Sequence, residues 1–141
     1  MPHIEGFAFE TPTDFRVEEV TMGLSGGMPD GGTSPSLIVQ SKLARPGATP
    51  ETVAAEVLGE LLQTMPGMKN GTKAELTFDD GVTGVVLAYA VTSSKGELRQ
   101  YFAFRVDNGR VCTATLTAPT ATMTPASATT LMKSLTSIRP A

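Results

Sequence analysis

Three turn sequences dominate the second half of the chain and leave it few ways to fold. Asp79-Asp80-Gly81, Ser94-Lys95-Gly96 and Asp107-Asn108-Gly109 are built from residues that accept the positive φ angles of tight hairpins. Between and around them lie four runs of strand character, 72–78, 82–93, 97–106 and 110–117. Strands joined by such short turns pair antiparallel with their chain neighbours, so the spacing predicts a meander.

The first half supplies the remaining elements. Phe7 and Phe9 alternate within a short strand over 6–10. A second strand over 15–24 places Val20, Met22 and Leu24 on one face and Val17, Glu19 and Thr21 on the other. A third, Ser36 to Leu43, places Leu37, Val39 and Ser41 on one side and Ile38 and Gln40 on the other. Residues 25–35 centre on Gly-Gly-Met-Pro-Asp-Gly-Gly and read as a flexible loop. Thr49-Pro50-Glu51 opens a helix: Thr caps, Pro needs no donor at the first turn, and Glu suits the positive end of the dipole. Val53, Ala54, Val57, Leu58, Leu61, Leu62 and Met65 follow at spacings of three and four, and Pro66-Gly67 ends the pattern. Thr124-Pro125 opens a second helix carrying Ala128, Leu131, Met132, Leu135 and Ile138. Strands outnumber helices and do not alternate with them one for one. The expected fold is therefore α+β: one domain over 1–141, with an antiparallel sheet of about six or seven strands and two helices.

Composition narrows function mainly by exclusion. Eleven basic residues against 14 acidic ones give a net charge of −3, which disfavours a general nucleic-acid binder. With one Cys and one His in 141 residues, neither an internal disulfide nor a cysteine-based zinc site is available, and most histidine chemistry lacks a candidate. No stretch reaches the roughly 18 apolar residues of a membrane span, and the N-terminus has no signal-peptide pattern or lipobox, so a cytoplasmic location is expected. Glu18 and Glu19, adjacent in a strand, point to opposite faces, and Asp79-Asp80 is turn chemistry. Gly26-Gly27 and Gly31-Gly32 are followed by neither a Lys-Ser/Thr pair nor a helix, so they do not form a phosphate cradle. Cys112 has no histidine to activate it and reads as a small buried hydrophobe. No catalytic set, metal site or cofactor site is expected.

One strand has an unusual pattern. Over 82–91, Val85, Leu87, Tyr89 and Val91 share one face, while Gly84, Val86, Ala88 and Ala90 make the other small and smooth. Either both faces are covered within the fold, or one is a groove for something apolar. The first helix adds a wide stripe, with Val57, Leu61 and Met65 in one row and Leu58 and Leu62 in the next. One row can face the sheet while the other lines a groove edge. The seven Met residues suit adaptable walls, although filling the core is their ordinary role.

The order Met65-Pro66-Gly67-Met68-Lys69, a hairpin at Gly81, the strand Gly84 to Tyr89, Leu98-Arg99-Gln100-Tyr101-Phe102, Thr115-Leu116-Thr117 and a closing helix resembles the DcrB-like family. Within that family it resembles the Eag chaperones of type VI secretion. The resemblance runs from about Phe7 to Ile138 and rests on short motifs in order. It implies a non-enzymatic cytoplasmic homodimer that holds the N-terminal transmembrane segments of a secreted effector of PAAR/Rhs type in a hydrophobic groove and helps to load it for export. The groove residues it implies are Val20, Met22, Leu37, Val39, Ser41, Val57, Leu61 and Met65, with Gln100 as a polar contact. Such a groove offsets the cost of exposing an apolar helix, about 25 cal/mol per Å². The alternative is a PsbP-like small-ligand or accessory protein of the same fold.

Overall fold

The computed structural model describes the chain except residues 1–2, 5, 9, 11, 26–34, 65–68, 95, 123–124 and 141. The elements are β1 (His3–Ile4), β2 (Phe7–Ala8), β3 (Glu19–Ser25), β4 (Ser36–Leu43), α1 (Pro50–Thr64), β5 (Lys69–Thr77), β6 (Thr83–Ser93), β7 (Gly96–Asp107), β8 (Arg110–Pro119), a 3-10 turn at Thr120–Thr122 and α2 (Pro125–Thr136). β1 and β2 form a separate two-stranded ribbon, and the other six make one antiparallel sheet in the order β3-β4-β8-β7-β6-β5. The meander forms as its turns dictate. Asn108 (φ 50°) and Gly109 (φ 75°) both take positive φ, the geometry that matches the twist of the strands they join.

β4 has the bounds its alternation predicts, whereas β3 is shorter than expected, with pairing starting at Glu19 rather than Phe15. β4 ends at Leu43, opposite Glu18, so the chain before Glu18 has no strand residue to pair with, and a side chain takes over there. Arg110 donates from Nη1 to the Val17 carbonyl (3.1 Å) and from Nη2 to that of Glu18 (3.2 Å), and Leu43 N–H also donates to Glu18 (3.0 Å). The backbone before Glu19 is thus tied across the end of β4 and β8 instead of continuing the ladder. Most of the predicted loop at 25–35, Pro66-Gly67 and Thr124 lie outside the described residues.

Thr49 caps α1 as its sequence suggests. Its hydroxyl accepts from Thr52 N–H (3.2 Å), while Thr52 Oγ1 accepts from Thr49 N–H (2.9 Å), a reciprocal cap that satisfies otherwise orphaned donors. The two helices cover opposite faces of the sheet. α1 lays Ala54, with Val53, Val57 and Leu58, on Val85, Leu87, Phe102 and Phe104. α2 brings Leu135, with Leu131 and Met132, onto Phe78, Ala103, Ala114 and Leu116. β6 therefore lies between layers: Val85, Leu87 and Tyr89 are buried on the α1 face and Ala90 on the other. Among the described residues no helix is long and apolar enough to cross a membrane.

Candidate functional site: a cleft beside the first helix

α1 covers β6 and β7 but not the other half of its face, and the uncovered half forms a cleft of about 960 Å³. Its position follows from chain order. β4 runs down the sheet, residues 44–49 turn the chain, and α1 returns above β6 and β7, leaving β8 and β4 roofless. Val53, Val57 and Leu61 form an apolar wall from α1. The floor is Ile38, Gln40 and Lys42 from β4, Val111, Thr113 and Thr115 from β8, and Phe102 from β7. Arg45, in the turn before α1, is ion-paired with Glu56 of the helix at the rim. Both side chains are exposed, so the pair shapes the mouth more than it stabilises the fold. Glu56, Glu60 and Gln63 line the cleft from the same helix, and the floor mixes apolar side chains with hydroxyl, amide and ammonium groups.

The sequence-derived site residues do not all meet here. Directly opposed residues of an antiparallel pair share a face, and the register pairs Val20 with Ser41, Met22 with Val39 and Leu24 with Leu37. β4 in turn pairs Leu37 with Leu116, Val39 with Ala114 and Ser41 with Cys112. These residues belong to the face covered by α2, where Leu37 and Val39 pack on the core. Val57, Leu61 and Gln100 lie on the α1 face, and Met65 lies outside the described residues. The expected single groove is thus two sets on opposite sides of the sheet. Side chains alternate with a period of two, so joining the helix row to Leu37, Val39 and Ser41 rather than to Ile38 and Gln40 inverts the face. On β4, Ile38, Gln40 and Lys42 line the cleft instead.

Two of the expected contacts are engaged internally. Ser41 Oγ accepts from Arg110 Nε at 2.8 Å. Gln100 accepts from the Tyr89 hydroxyl and donates through Nε2 to Thr117 Oγ1 at 3.0 Å, so its amide links β6, β7 and β8. Tyr89 is 2% exposed, and burial pushes its phenol up to about 12. The unfolded phenol ionises near 10 and the folded one near 12, so the folded state retains the proton longer. Stability on this account is intact below pH 10 and falls as pH rises towards 12, by on the order of 2 kcal/mol. Tyr89→Phe is expected to flatten that alkaline loss in urea unfolding measured at pH 9 and pH 11. The same slope in both proteins would exclude Tyr89 as its source.

Cys112 is half-buried on the α2 face, and burial raises its thiol above the ordinary value. Among the described residues no group of three metal-ligating side chains occurs.

Fold and cleft together define an α+β protein with a six-stranded antiparallel sheet, one helix on each face and an open cleft beside the first helix. No family model matches the chain, and no curated protein matches it. Its fold is similar to that of a solved Pseudomonas aeruginosa structure described as a protein of unknown function, PA94, and a candidate regulator. The two superpose with a TM-score of 0.69 at 18% identity, over 94% of this chain and 90% of that one. Likeness at that identity shows the shared fold.

Proposed function

We propose that the protein is a non-enzymatic cytoplasmic chaperone or adaptor, and that the α1 cleft shelters an apolar helical segment of a client protein. The client class suggested by the sequence resemblance is the N-terminal hydrophobic region of a type VI secretion effector. The observation that carries the reading is the open cleft itself, in which Val53, Val57 and Leu61 of α1 face a floor that mixes Ile38 and Phe102 with Gln40, Thr113 and Thr115. An apolar helix gains from the wall, and its small polar side chains find partners on the floor. Scale also bears on the reading. A helix about 10 Å across fills 960 Å³ in a length of about 12 Å, roughly two turns. A membrane span is about 30 Å long, so one cleft takes a part of it. The alternative, a PsbP-like small-ligand protein, draws on the same volume, which lies near the top of the range for small-molecule sites, about 300–1,000 Å³.

The test is co-expression with an effector N-terminal fragment. The wild-type protein is expected to keep the fragment soluble and to co-purify with it. Ile38→Asp and Val57→Asp, which place a carboxylate on the floor and wall, are expected to lose it. Ile38 is 43% exposed, so its replacement leaves the core intact, and an unchanged circular-dichroism melt verifies this. A fragment that stays insoluble with the wild type, or that both variants hold equally well, overturns the reading.

A further inference from the structure

The two ends of the α1 cleft carry opposite charge. α1 begins just beyond Leu43, at the end of the sheet where β4 pairs with Arg110 and Arg110 with Asp107. It hands the chain to β5 at Lys69, which lies at the other end, level with Ala90 and Arg99. The helix therefore runs antiparallel to β4, with its N-terminus at the Leu43 end of the cleft.

Lys42 and Arg45 line that end, and the amide dipoles of α1 turn their positive pole the same way. Glu56 faces Arg45 and neutralises it. Glu60 stands one turn further along the same row, about 6 Å towards the C-terminus. It is exposed, and the last turn of α1 holds no basic residue to offset the negative pole. Among the described residues neither Lys42 nor Glu60 takes part in an ion pair. On the floor, Lys42 and Ile38 are four positions apart on β4, about 13 Å. That is close to the two helical turns the cleft holds, so the two ends of an occupant meet opposite fields.

We infer that the cleft fixes the direction of its occupant: the client helix lies antiparallel to α1, its carboxyl end towards Lys42, and a lysine or arginine in the chain leading into it sits beside Glu60. This deepens the chaperone reading and rests on it. Val53, Val57 and Leu61 attract an apolar helix without orienting it, because burial of apolar surface is non-directional. Direction is left to charge. A helix carries about half a unit of positive charge at its N-terminus and the opposite at its C-terminus. Antiparallel placement sets each pole against its complement, and parallel placement sets like against like. A carboxylate in the leading chain would meet Glu60 and be disfavoured.

Two blocked synthetic peptides test the inference. Both have one Ala-Leu-Ser core of about three helical turns, with two lysines before the core in one and after it in the other. Their affinities are compared by fluorescence anisotropy at low salt. Glu60→Gln is expected to shift the ratio of the two affinities about threefold to fivefold away from the peptide with leading lysines, the scale of one exposed ion pair. The peptides' own dipoles act equally with either protein, so the change in ratio isolates Glu60. Glu75→Gln, exposed on β5 outside the cleft, should leave the ratio unchanged, and about 1 M salt should erase the difference between wild type and Glu60→Gln. Cross-linking reads direction separately. In a Cys112→Ser background, a cysteine at the amino end of the leading-lysine peptide is expected to form a disulfide with Gln63→Cys and not with Ala44→Cys, which line opposite ends of the cleft. A ratio indifferent to Glu60→Gln, or cross-linking through Ala44→Cys in place of Gln63→Cys, overturns the inferred direction and leaves the chaperone reading standing. A wild-type protein that binds neither peptide counts against the cleft as a helix site, and the direction falls with it.

Discussion

Arg105→Met is expected to cost the fold about 3–5 kcal/mol, read as a lower urea midpoint at unchanged slope. Arg105 is 1% exposed, yet it carries a full charge. It can be buried because every N–H of its guanidinium has an acceptor. Nε and Nη2 grip Asp107 at 2.6 and 3.0 Å, Nη1 and Nη2 grip Asp80 at 3.2 and 2.7 Å, and Nη1 also donates to the Ile138 carbonyl at 2.6 Å. Five bonds use the five donors the group possesses. Its flat face lies 4.7 Å from the centre of the Phe78 ring. One side chain on β7 thus ties together the β5–β6 turn, the β7–β8 turn and the chain leaving α2. Methionine fills the space but leaves two carboxylates side by side and a carbonyl unpaired, and removing one member of a buried ion cluster is the costly case. Arg105→Lys keeps the charge without the bidentate geometry and should lie between the wild type and Met. Acid provides a second readout. Hydrogen bonding to Arg105 holds the Asp80 carboxyl below its usual 3.8. A depressed carboxylate contributes stability that is present above the unfolded value and is lost as pH falls through the folded one. The wild type should therefore weaken below pH 4 more steeply than Arg105→Met. Equal stability of the two proteins at pH 7 would mean that the cluster contributes nothing net.

The meander and both helices are legible in the sequence because their signals are local. Asp107-Asn108-Gly109 sets its own turn, Thr49-Pro50-Glu51 its own cap, and Ser36 to Leu43 alternates over the length it occupies. The face on which a strand meets a helix is a different kind of information. Leu37 and Val39 on one side of β4 and Ile38 on the other are all apolar, so alternation divides the strand without saying which half α1 will meet. That depends on the helix crossing to β6 and β7, a contact between distant parts of the chain. The Arg105 cluster was hidden for the same reason: Asp80 lies 25 positions before it and Ile138 33 after. A retrospective signal exists, since Arg105 holds the β7 position that alternates with Ala103 and Tyr101 on the face α2 covers. A charge on a core-facing position demands a partner, and acids in the neighbouring turns are the first place to seek one. The cleft was half visible, as the Val57–Leu61 row, because a helix stripe wider than one packing seam needs a second surface.

Gly84→Ala is expected to be the most damaging single-methyl change in the molecule, costing about 3 kcal/mol or more and driving much of the protein into the insoluble fraction. Conformational strain is not the cause, since Gly84 is not among the positive-φ glycines. Space is the cause. A Cβ at residue 84 would stand 2.1 Å from the Phe104 carbonyl oxygen and 2.8 Å from Cε2 of Phe78. The first neighbour is backbone in the central β7 strand and cannot swing aside without breaking its ladder. The second is the ring under the Arg105 guanidinium, so displacing it also loosens the ion cluster. The two substitutions therefore strike one structural unit, and their effects should add to less than their sum. If Gly84→Ala costs about 3 kcal/mol and Arg105→Met about 4, the double variant should fall short of 7 by 0.5 kcal/mol or more, as contacting residues do. The comparison is Gly59→Ala, an exposed helical glycine with nothing within 4 Å of an added Cβ. There the same methyl is expected to stabilise by about 0.5–1 kcal/mol. Urea unfolding of both variants decides the matter: if Gly84→Ala unfolds at the wild-type midpoint, β6 and β7 have room that the close approach denies, and the link from the smooth face of β6 through Phe78 to Arg105 fails with it.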